Sequence, residues 1–97
     1  MASYIGASAE QESADPILVA FTAEAAKGDP ASPVARELVL RWRDHLAKFS
    51  RSCDDEKLRR LADLYSWDDR FSEVLDSYGP GTARFMGEAI EAYLDTL

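Results

Sequence analysis

From Ile17 onward, apolar and polar positions recur at helical spacing, and no strand-like alternation competes with it. Asp15-Pro16 reads as a helix start, since the aspartate can cap free N–H groups and proline fits the first turn. Ile17, Leu18, Phe21 and Ala25 then share one face, and Gly28 stops the helix. Asp29-Pro30-Ala31-Ser32-Pro33 repeats the signal, with Ser32 as N-cap and Pro33 as first helical residue. Val34, Leu38, Trp42, Leu46 and Phe49 form the apolar stripe of a second helix ending near Phe49. After a break at 50–52, Ser52 with Asp55 reads as a capping box for a third helix carrying Leu58, Leu61, Leu64 and Tyr65. Ser66 with Asp69 reads as another, opening a short helix with Trp67, Phe71, Val74, Leu75 and Tyr78 in a narrow arc. Gly79-Pro80-Gly81 is a turn. A last helix from about Thr82 to Tyr93 buries Met86, Ala89, Ile90 and Tyr93, with Phe85 on its flank. The pattern predicts an all-α chain of about five short helices, with no internal repeat.

Length changes the picture only at the N-terminus. Ninety-seven residues fit one domain, and residues 1–14 are small and polar apart from Tyr4 and Ile5. Such a stretch buries too little to offset its ordering entropy, so 1–14 is expected to be a flexible arm and 15–97 the domain. The net charge of −7, without a basic cluster, argues against a grip on nucleic acid by these residues. The longest apolar runs fall far short of a membrane span, no signal-like start is present, and the single cysteine cannot form an internal disulfide. A soluble, cytoplasmic protein without membrane partners is the expectation.

Candidate chemistry is sparse. There is no Gly-rich phosphate loop, CxxC, HExxH or GxSxG, and with one histidine a metal site would have to be built mainly from carboxylates. Asp54, Asp55, Glu56 and the pair Asp68-Asp69 are better explained as favourable charge at helix N-termini. No enzymatic activity, metal or cofactor is expected, because no acid–base pair or activated nucleophile stands out. His45 falls inside the apolar stripe of the second helix, as a hydrogen-bonded core residue or a pocket wall. Cys53 sits at a helix start with Lys57 and Arg60 on its side, which favours a reactive thiolate. Three neighbouring carboxylates oppose ionisation, and the balance favours an inert thiol. Trp42, Tyr65, Trp67, Phe71, Tyr78, Phe85 and Tyr93 all lie in the C-terminal two-thirds. They serve as core, or as the walls of an apolar cleft for a planar ligand.

The run Leu61-Ala62-Asp63-Leu64-Tyr65-Ser66-Trp67-Asp68-Asp69-Arg70-Phe71, with Cys53 before it, resembles a hallmark of the TipAS family. These are the antibiotic-recognition domains of MerR-type transcription activators. The stretch Tyr78-Gly79-Pro80-Gly81-Thr82-Ala83-Arg84-Phe85 leading to Ala89-Ile90 resembles the family's turn into its final helix, and the likeness covers roughly residues 17 to 94. It implies a globin-like helical fold with a cleft that takes a hydrophobic, drug-like effector or antibiotic. It also implies that binding orders N-terminal segments and is relayed, in a homodimer, to a DNA-binding part lying outside these residues. Matched positions expected to line the cleft are Trp42, His45, Leu61, Tyr65, Phe71, Tyr78 and Phe85. Where the prototype captures antibiotic through a cysteine, this chain has Arg60, and family histidines are replaced at Trp42 and within Glu56-Lys57-Leu58. Non-covalent binding is therefore the expectation. A drug-sequestering resistance protein and a helical protein-interaction module are the alternatives.

Overall fold

A computed structural model describes residues 4–49 and 54–97, and the side chains of 14–48 and 54–97. Five helices account for it: α1 (Tyr4–Lys27), α2 (Pro33–Phe49), α3 (Asp55–Trp67), α4 (Asp69–Asp76) and α5 (Thr82–Asp95), with no strand among the described residues. None of these helices is long and apolar enough to cross a membrane.

The predicted punctuation holds between α1 and α2. Gly28 adopts a φ of 77° and its N–H reaches the Glu24 and Ala25 carbonyls. Ser32 Oγ accepts from the Ala35 N–H at 3.0 Å, and the same hydroxyl donates to buried Glu24 at 3.3 Å. Glu24 also pairs with Lys27 at 2.9 Å, so the end of one helix and the cap of the next share a carboxylate.

Three starts differ from expectation. The Asp15-Pro16 signal does not open α1, which runs through it from Tyr4. Proline there removes one donor, so the Glu12 carbonyl loses its partner four residues on, a cost of about 3 kcal/mol in a helix interior. Anchoring of Ile17, Leu18 and Phe21 in the core, ahead of which the chain is rich in good helix formers, lets the helix extend backward past it. The cap of α3 is Asp54, whose carboxylate accepts from the Lys57 N–H at 2.9 Å; Ser52 lies outside the described residues. The cap of α4 is Asp68, accepting from the Arg70 N–H at 2.9 Å, while Ser66 and Trp67 belong to the last turn of α3. A carboxylate in the break itself outcompetes the serine two residues earlier, because α3 continues through Ser66 to Trp67.

Helix α5 is the hub, packed by each of the other four. Its buried residues include Phe85, expected on a flank, together with Met86, Ala89, Ile90 and Tyr93. Gly87 lets α3 come close: a Cβ there would lie 2.9 Å from the Ala62 carbonyl oxygen and 2.6 Å from Ser66 Oγ. A Cβ on Gly79 would collide with Thr22 Cγ2, so the α4–α5 turn presses directly on α1. Gly81, at φ 84°, offers no capping side chain, and Asp76 takes that role by accepting from the Ala83 N–H at 2.9 Å. On α2, Ala35, Leu38, Val39 and Trp42 are buried and Val34 is exposed, a rotation of the stripe set by the approach of α1 and α5.

Candidate functional site

Among the described residues, α2 packs on α1 and α5, and α3 packs on α5 and α4, while α2 and α3 barely approach each other. Between them lies a cavity of about 540 Å³. This falls inside the range of roughly 300–1,000 Å³ typical of small-molecule sites. Trp42, His45 and Leu46 of α2 form one wall, Leu61 and Tyr65 of α3 a second, and Arg70, Phe71, Val74 and Leu75 of α4 a third. Ala14 of α1 closes an edge.

The walls are preorganised by ring contacts. Trp42 and His45, three residues apart on α2, stack with centroids 5.1 Å apart and planes 18° from parallel. The Trp42 indole N–H donates to the Tyr65 hydroxyl at 3.1 Å, a buried bridge between α2 and α3. Tyr65 and Phe71 rings meet at 6.0 Å and 54°, in the tilted arrangement that aromatic pairs favour. At the rim, Arg70 holds Asp68 through Nε at 3.3 Å and Nη2 at 3.1 Å. That pairing holds the Asp68 carboxyl below its ordinary value and raises the guanidinium's own.

Five of the seven residues expected to bind ligand, namely Trp42, His45, Leu61, Tyr65 and Phe71, are brought together on these walls. Two are not. Phe85 is buried in the core on α5, and Tyr78 donates its hydroxyl to Asp15, tying the turn after α4 to α1. That hydrogen bond, with burial added, raises the Tyr78 pKa above the ordinary phenol value. Leu46, Val74 and Leu75 join the walls one helical turn from Trp42 and Phe71, a spacing readable in the sequence. Arg70 and Ala14 carried no such signal. Cys53 lies outside the described residues, and among those described no group of His, Cys, Asp or Glu assembles as a metal site.

Residues 7–93 match the TipAS antibiotic-recognition domain. The chain belongs to that family. Over 69 residues, 71% of its length, it is 33% identical to the HTH-type transcriptional activator mta of Bacillus subtilis (strain 168), of which it spans only 27%. No solved structure matches this TipAS chain.

Proposed function

We propose that this TipAS domain binds a hydrophobic, drug-like effector non-covalently in the cavity between α2, α3 and α4, as the sensing part of a MerR-type transcription regulator. One observation carries the reading: an apolar cavity of about 540 Å³, walled by stacked and tilted aromatic rings, in a member of an antibiotic-recognition family. The regulatory half of the proposal draws on the similarity to a transcriptional activator. Its DNA-binding part and its dimer would lie in a longer protein.

Signalling works through α1. Ala14 closes the cavity edge, Asp15 accepts from Tyr78, and Pro16 interrupts the helix ladder beside them. A ligand that prefers the closed edge shifts the population towards a continuous α1, by as much as its affinity for the two states differs. The part ahead of Pro16 is the segment that orders.

An amide NMR titration against hydrophobic antibiotics and lipophilic cations tests this. Saturable shifts at Trp42, Leu61, Tyr65 and Phe71, with slowed hydrogen exchange in α1, are expected. Binding that leaves exchange across α1 unchanged rejects the ordering mechanism, and shifts confined to residues outside the cavity reject the site.

A further inference from the structure

We propose that this cavity selects aromatic ligands bearing a hydrogen-bond acceptor, an aryl carboxylate or aryl carbonyl, and that Arg70 is the residue that selects them. The inference rests on the reading of the cavity as the effector site and adds the chemistry of its occupant. The interior favours a flat apolar body. The Trp42 N–H is spent on Tyr65, so the indole presents its ring to the cavity, and Leu46, Leu61 and Phe71 supply carbon surface. Arg70 is the one permanently charged side chain among the described lining residues.

Its guanidinium is held in position from behind. Nε and Nη2 grip the two oxygens of Asp68, and Asp68 is itself fixed as the cap of α4. Of the five guanidinium N–H groups, those on Nη1 meet no partner among the described residues. Asp68 stands outside the cavity wall. The rim therefore offers a positioned donor to whatever enters. A ligand carbonyl or carboxylate gains a hydrogen bond there with little ordering cost, whereas an ammonium group has no acceptor to offer and gains none. The chain's net charge of −7 is spread over its surface and is screened beyond about 10 Å at moderate salt, so the nearest donors decide.

The test uses three probes of equal size on the whole chain: 2-naphthoate, 2-naphthamide and (2-naphthyl)methylammonium, each followed by NMR shifts at about 0.1 M salt, where the chain's overall charge is screened. The carboxylate and the amide are expected to bind about twofold to fivefold more tightly than the ammonium, the range for an exposed charge contact. Arg70→Met, at a side chain 87% exposed, keeps the fold and erases the order. Asp68→Asn keeps the cap, frees the guanidinium and widens the carboxylate's advantage. An ammonium that binds as well as the carboxylate, or a ranking that survives Arg70→Met, overturns the proposal. If none of the three probes shifts Trp42, Tyr65 or Phe71, the cavity reading itself fails and takes the proposal with it.

Discussion

Helix α5 and the cavity are lined by the same kinds of residue and end in opposite states. Around α5, Phe21, Met86 and Ile90 are fully buried, and Gly87 and Ala62 let two helix backbones touch. Across the cavity, Trp42 meets Tyr65 through a hydrogen bond of 3.1 Å, while Phe71 stays 39% and Val74 64% exposed. Side-chain size at the contact makes the difference. Glycine and alanine allow close packing to interior density, whereas rings joined edge to edge prop helices apart and leave space between them. The cavity is thus held open by the aromatic residues that line it.

Substitutions separate the two regions by size of effect. Phe21→Ala, on the closed side, is expected to cost about 3–5 kcal/mol in chemical denaturation, as large buried aromatics do. Retention of full stability would mean that α1 is not part of the core. Gly87→Val should follow at about 1–3 kcal/mol, because its side chain would be driven into the Ala62 backbone. Tyr65→Phe removes the acceptor of the Trp42 N–H and should cost about 1–3 kcal/mol, read in the same assay.

The Tyr78–Asp15 contact gives a smaller, pH-dependent effect. Because the folded-state pKa of Tyr78 is raised, the contact's stabilisation is fully present below the ordinary tyrosine value of about 10 and is lost as pH rises through the raised one. Protection of α1 amides, taken relative to the intrinsic exchange rate at each pH, should fall there, and Tyr78→Phe should abolish that fall. Smaller than the core losses, Phe71→Ala should cost about 0.5–1.5 kcal/mol, the worth of its tilted pair with Tyr65 at a partly exposed position, yet weaken ligand binding severalfold. A stability loss as large as that of Phe21→Ala would make Phe71 a packing residue and close the distinction between the regions.

Some of this is legible in the residues alone. Ser32-Pro33, Gly28 and Gly79-Pro80-Gly81 mark where helices stop and start, since each acts through its own backbone and nearest neighbours. Caps with two nearby candidates are not legible in this way. Asp68 prevails where Ser66 also fitted, because α3 runs on through Ser66 to Trp67 before α4 can start. Trp67 illustrates the same limit. Its sequence position allowed it into the apolar arc of α4, but it closes α3 and stands 83% exposed.

By itself the sequence determined the all-helical class, the number of helices and most of the faces they turn inward, because these follow from local periodicity and capping. Tertiary structure alone decided which stripe meets which. It took Phe85 into the core, turned Val34 out, carried α1 past Pro16 and set Arg70 at the rim of a space between three helices. A helical repeat encodes the direction a side chain faces; what stands opposite it, and at what distance, is set by the crossing of elements far apart in the chain.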